Sequence, residues 1–132
     1  MKKMLLATAL ILFFVPGFGQ DLFINEFLAS NDACCADENG EFDDFIEIYN
    51  GGTEAVDIGG MYITDDLAAP TEYQIPDTAP DSTTIESGGF LLLWADKESE
   101  QGILHVEIKL GGGGEQIGLF TSDATNNVPI DT

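Results

Sequence analysis

From Leu22 onward the chain alternates apolar and polar residues over short stretches, and each stretch ends in Gly, Asp, Asn or Pro. Period-two alternation of this kind marks strands with one buried face, whereas a helix needs apolar residues at every third or fourth position. No helical period of useful length is present. The first predicted strand is Leu22 to Ala29, with Ile24 and Leu28 on one face and Phe23 and Phe27 on the other. A polar, acidic loop from Ser30 to Asp43 follows. Asp44 to Asn50 is the second strand, where Ile46 and Ile48 alternate with Phe45, Glu47 and Tyr49, and Asn50-Gly51-Gly52 then signals a turn.

Val56 to Thr64 holds the next strand, with Gly59-Gly60 marking a bulge. A short strand at Glu72 to Ile75 is stopped by Pro76. Asp77 to Ser82 reads as a polar connection, and Thr83 to Ile85 as a brief pairing before Gly88-Gly89. Phe90 to Ala95 is the most apolar strand. Large side chains on both its faces place it inside a sheet. Leu104 to Leu110 puts Leu104, Val106, Ile108 and Leu110 on one face, and His105 on the other, toward solvent or a sheet edge. Gly111 to Gly114 reads as a turn, Gln116 to Thr121 as a strand, and Val128 onward as the start of one more. Seven or eight short strands with turn signals at roughly 8–12-residue intervals predict an all-β sandwich. The chain stops at Thr132 inside a predicted strand, so the sandwich is expected to be truncated at its C-terminal strand or strands, with a sheet edge left open.

The first 19 residues have a different character. Lys2 and Lys3 precede an apolar run from Met4 to Val15, Pro16 breaks it, and Gly17 and Gly19 are small residues suited to cleavage before Gln20. The run is shorter than the roughly 20 residues of a membrane span. Residues 1–19 therefore read as a signal peptide and residues 20–132 as one exported domain, without membrane insertion after cleavage. Export leaves periplasm, cell surface and medium open. The composition then excludes some partners. The formal charge is −20, and loss of Lys2 and Lys3 with the signal makes it −22. Only Lys97 and Lys109 remain to meet phosphates, which argues against nucleic acid. The two cysteines, Cys34 and Cys35, are neighbours. A vicinal disulfide, two free thiols and bridges to other chain segments all remain open.

Several blocks together resemble bacterial lamin-tail domains. They are Ile24-Asn25-Glu26-Phe27, Ala29-Ser30-Asn31-Asp32, the run Asp37 to Asn50, Val56 to Asp66, Tyr73-Gln74-Ile75-Pro76, Gly88 to Asp96 and Gly114 to Phe120. Their order and spacing over nearly all of residues 20–132 carry the likeness. The resemblance implies an immunoglobulin-like β-sandwich and a module of large exported proteins. A non-catalytic interaction, adhesion or structural role follows from it, with an unknown extracellular protein or glycan as partner. The alternative is an accessory domain of a secreted enzyme (a nuclease, hydrolase or kinase-like protein) with its catalytic region beyond residue 132.

The candidate chemistry is concentrated in the acidic loop. Asp37, Asn39, Glu41 and Asp43 alternate around Gly40, and calcium takes six to eight oxygen ligands at about 2.3–2.6 Å. The spacing is not that of an EF-hand: Phe42 stands where such a loop needs glycine, and Ile48 where it needs a bidentate glutamate. A solvated turn, with Asp and Asn serving turn chemistry, is the competing reading. No catalytic residues are assigned. Glu26 and Glu47 point outward by alternation, His105 is the only histidine, and no serine sits in a nucleophile elbow. Trp94 reads as core, while Tyr49, Tyr62 and Tyr73 are exposed or half-buried aromatics.

Overall fold

In the computed structural model, which describes residues 21–114 and 116–132, strand β1 (Leu22–Leu28) pairs antiparallel with β2 (Phe45–Asn50). β2 pairs in turn with β7 (Phe90–Ala95), and β8 (His105–Val106) adds to the far side of β7 in parallel. The order β1-β2-β7-β8 makes β7 an interior strand, as its two apolar faces predict. A second sheet has the order β10-β9-β4-β5, built from β4 (Tyr62–Thr64), β5 (Tyr73–Gln74), β9 (Gly118–Phe120) and β10 (Pro129–Asp131). A two-stranded ribbon of β3 (Val56–Asp57) and β6 (Thr84–Ile85) closes one side. The described residues thus form an immunoglobulin-like β-sandwich. The predicted signal peptide lies outside them.

The core sits between the sheets. Ile46 and Ile48 of β2 and Leu93 of β7 meet Ile63 of β4 and Leu119 of β9, and all five are fully buried. Ile58, Ile75, Val106 and Ile108 complete the packing from loops and edges. Asn50, at the end of β2, is equally buried. Its amide nitrogen donates to the carbonyls of Glu54 and Ile85, each at 2.8 Å, and its oxygen accepts from Gly52 N at 3.0 Å. One residue thereby fastens the turn after β2 to β6, with no buried polar atom of its own left over. Gly59-Gly60 is a turn rather than a bulge. Gly60 has φ +83° and donates its N–H to Ile75 O at 2.8 Å, a conformation that L side chains adopt only with strain.

The sandwich departs from the predicted alternation in three places. A register shift between Ile24 and Glu26 inserts Asn25 as an extra residue in β1. Phe23 stays opposite Tyr49 on the outer face, but Phe27 comes opposite Ile46 on the inner face, and Ile24 and Leu28 are likewise separated. Residues 80–83, expected in part as a polar connection, form a single helical turn α1 (Pro80–Thr83), with Pro80 in the first turn, where its missing N–H is not needed. The strand predicted from Leu104 to Leu110 narrows to His105–Val106. Val106, Ile108 and Leu110 keep the predicted inward alternation and are buried, but beyond Val106 this edge segment has no ladder partner among the described residues.

Candidate functional site

The outer face of the first sheet changes character along its length. One row, Phe23, Tyr49 and Phe90, is open: Phe23 is 47% and Phe90 56% exposed, and the rings stack across the strands with centroids 6.3 and 4.8 Å apart. Two residues further along β2, Glu47 accepts from Asn25 Nδ2 at 2.7 Å at the surface. The next row, Phe45, Trp94 and His105, lies on the same face and is buried. Trp94 meets Phe45 edge-on with centroids 6.0 Å apart and lies 6.5 Å from the His105 ring.

Two loops bury this row. Residues 29–44 and residues 96–104 meet over it, joined by Gln101 Nε2 donating to Glu41 Oε2 at 3.0 Å and by Asn39 Nδ2 donating to Gln101 Oε1. The first loop is anchored at Asn31, which is itself buried. Its backbone N–H donates to Asp44 Oδ1 at 2.9 Å, its amide nitrogen to Asp43 O at 2.9 Å, and its oxygen accepts from Cys34 N at 3.0 Å. Asp37 makes the tight turn that follows. Its Oδ1 accepts from the N–H groups of Asn39 and Glu41 at 2.9 and 2.7 Å, and Gly40 takes the left-handed conformation, φ +86°. Burial works to raise the Asp37 carboxyl, but these N–H donors and the Asn39 amide outweigh it and hold the group below its ordinary range.

His105 lies beneath these loops with no exposed surface. The expectation that it faces solvent is therefore corrected. The alternation placed it on the correct, outer face of the sheet, but two segments distant in sequence close over that face. Its Nδ1 lies 2.5 Å from Asp96 Oδ2, its Nε2 3.2 Å from Glu38 Oε1, and Asp37 Oδ2 is 4.0 Å from Nε2. Burial lowers the imidazole pKa, but the hydrogen bonds and charges of Asp96 and Glu38 more than reverse this and raise it above its ordinary value. When protonated, the form these carboxylates favour, His105 donates from both ring nitrogens, to Asp96 in one loop and to Glu38 in the other.

Of the four residues predicted as calcium ligands, the fold brings together Asp37, Glu41 and Asp43. Each offers an oxygen within 4.8 Å of the others. Asn39 stands beside them, with its amide nitrogen on Asp37 Oδ2 at 3.2 Å. Asp43 Oδ2 is buried and has no hydrogen-bond partner among the described residues. Burial is the first cause that pushes the Asp43 carboxyl up, followed by the negative charges of Asp96, Asp37 and Glu41, with His105 opposing. A second group, Asp37, Glu38 and His105, shares Asp37 and meets the same distance limit. These acidic and histidine groups have the donor types that a metal ion accepts. Because His105 Nε2 already pairs with Glu38, the all-oxygen group is the better fit for a cation.

Sequence reasoning missed Glu38, Asp96 and His105. The sequence carried no decisive signal: Phe45 and Trp94 pair side by side on the outer face, but so do Tyr49 and Phe90, which stay open. Trp94 is core, as predicted, and Tyr49, Tyr62 and Tyr73 are half-buried. Neither Glu26 nor Glu47 is buried, in keeping with their outward alternation.

Comparison with known proteins agrees with this architecture. No curated protein and no solved structure matches the chain. The family model described as Lamin Tail Domain matches residues 19–132. Lamin tail domains are non-catalytic interaction or structural modules, and that role applies here. With residues 19–132 matched and the β-sandwich in agreement, the chain belongs to the lamin tail domain family.

Proposed function

We propose that the domain works outside the cytoplasm as a non-catalytic display module, and that calcium sets the shape of the surface it presents at residues 29–44. The observation that carries this reading is the convergence of Asp37, Glu41 and Asp43 around the buried, unpartnered Asp43 Oδ2. A buried carboxylate oxygen without a donor is unfavourable by about 1–3 kcal/mol. A divalent cation at that point gives it a partner and also offsets the mutual repulsion of three carboxylates. Backbone carbonyls, water and Asn39 after an amide flip are the further oxygens that such an ion takes.

The signal-like residues 1–19 support export, and the formal charge of −20 supports a partner other than nucleic acid. An extracellular protein or glycan is the partner class that this leaves, bound through the loop surface above Trp94 and His105. Loops held on a rigid sheet are the usual carriers of recognition in sandwiches.

The test is a thermal melt of the purified domain at increasing calcium. The expected result is a rise in Tm at millimolar calcium that disappears in Asp43→Asn. That variant removes charge from a side chain whose carboxylate oxygens accept no hydrogen bond among the described residues, so the apo fold is retained. An unchanged Tm in the parent protein at every calcium concentration overturns the calcium part. A glycan array and a pull-down from surface material, run with and without calcium, test the partner. Binding that ignores substitutions at Glu38, Glu41 and Phe42 places the contact elsewhere.

A further inference from the structure

Cys34 and Cys35 lie on the same loop but take no part in the acidic group. Both are exposed and unbridged. The turn that carries them is fixed from beneath by Asn31, whose oxygen accepts from the N–H groups of Ala33 and Cys34 at 3.3 and 3.0 Å. Asn31 Nδ2 also points to Cys35 O at 3.4 Å. Cys35 has φ +53°, in the left-handed region, where a side chain is held only when its surroundings impose it. The neighbouring Cys34 thiol, then burial and the charge of Glu26, push the Cys35 thiol above its ordinary value.

We propose that Cys34 and Cys35 form a reversible dithiol–disulfide pair, a surface redox site that exchanges with small disulfides of the glutathione class. This inference is independent of calcium. Neighbouring Cα atoms across a trans peptide are about 3.8 Å apart, and ordinary disulfides span about 4.4–6.8 Å. A ring closed between adjacent cysteines is therefore strained, and strained, exposed disulfides are the readily reduced ones. The pair suits a reversible switch better than a permanent cross-link. It also closes no long loop, so it adds little of the chain-entropy stabilisation that structural disulfides supply.

The chemistry balances with the small disulfide as oxidant. One cysteine thiolate attacks a sulfur of that disulfide, the S–S bond breaks, and the first small thiolate leaves and takes up a proton. The neighbouring cysteine thiolate then attacks the mixed disulfide, the Cys34–Cys35 bond forms, and the second small thiolate leaves and is protonated. The protein loses two protons and two electrons, and the small disulfide becomes two thiols. Closing the ring changes the backbone torsions of Cys34 and Cys35, whose N–H and carbonyl respectively meet the Asn31 amide. Because Asn31 also holds Asp43 O, the state of the thiols reaches the segment that carries Asp43.

The experiment equilibrates the full chain in buffers of graded reduced-to-oxidised glutathione ratio, followed by acid quench, alkylation and intact mass. The expected product is a monomer that escapes alkylation and is lighter than the dithiol by two hydrogens. It should be half-formed only where oxidised glutathione predominates and lost again in reduced glutathione. Cys34→Ser and Cys35→Ser each leave one exposed thiol and are expected to take up one glutathione instead. Wild-type protein that ends as glutathione adducts or intermolecular dimers, with no bridged monomer, overturns the proposal. So does a bridge that persists in excess reduced glutathione.

Discussion

Replacing His105 with Phe is the sharpest test of how the two loops are held. The substitution keeps a ring of similar size against Trp94 but removes both donors. Asp96, whose side chain is 2% exposed, then loses the partner of its Oδ2 while staying buried. Removing one member of a buried pair costs about 3–5 kcal/mol. Asp96 keeps the Glu98 N–H on its Oδ1 at 2.9 Å, so the lower end, about 3 kcal/mol, applies. The Glu38 contact adds less than about 1 kcal/mol, because that side chain is 60% exposed and screened by solvent. For a domain of this size the sum lowers Tm by about 10–15 °C. Urea denaturation followed through Trp94, the only tryptophan, measures it directly.

The pH dependence has a definite sign. The His105 pKa is raised in the folded protein, so its contribution is complete below the ordinary value of about 6.5 and is lost as pH climbs through the higher folded value. The stability gap between wild type and His105→Phe should therefore be widest near pH 6 and narrow steadily toward alkaline pH. Adding Asp96→Asn to His105→Phe should recover part of the loss, because it removes the stranded charge. A gap below about 1 kcal/mol at pH 6 refutes the reasoning, as the pair would then behave like a surface ion pair. A gap that stays constant from pH 6 to pH 9 refutes it too, since the loss would then come from packing alone.

Other substitutions separate the remaining forces. Asn50→Ala strands the buried Ile85 carbonyl and frees the turn after β2, and should lower unfolding free energy by about 2–4 kcal/mol in urea titrations. Gly60→Ala meets open space, with only Ser122 Cβ at 3.9 Å, so its effect is the left-handed backbone alone, about 1–2 kcal/mol by the same measurement. Leu93→Ala and Phe90→Ala lie on opposite faces of β7. The first should cost about 2–5 kcal/mol through its cavity, and the second about 0.5–1.5 kcal/mol through loss of its stack on Tyr49. Equal losses at both positions would show that the outer aromatic row is as buried in solution as the core.

How far the sequence could be read depended on the range of the interactions involved. Strand identity is a local matter, settled by side-chain alternation, so β2 and β7 were legible nearly residue by residue, together with the inward set Val106, Ile108 and Leu110. The bulge at Asn25 was not, because an extra residue in one strand shows only when its partner's register is known, and the partner lies some 20 residues further along the chain. Phe23 and Phe27 share a phase in the sequence and lose it in the sheet. The helical turn at Pro80 was hidden for a related reason: four residues carry too little period to be detected.

The acidic loop was legible as a cluster and illegible as a site. The spacing of Asp37, Glu41 and Asp43 drew attention to one stretch of chain, and the fold does draw these three side chains together. What makes the place unusual is the buried histidine beneath it, and His105 comes from a strand more than 60 residues away. Its position follows from two facts that alternation alone could not join: His105 faces outward from β8, and that outward face is covered. Phe45 and Trp94 do not reveal the cover by themselves, since Tyr49 and Phe90 pair in the same way on this face and stay open. Once the cover is recognised, the acids can be sorted. Asp96 and Glu38 have His105 as counter-charge, Asp37 has backbone N–H groups, and Asp43 alone turns a buried oxygen toward no donor among the described residues. Among these acids, Asp43 is therefore the one whose buried oxygen is left without a protein donor, and it is the position at which the proposed cation is to be tested.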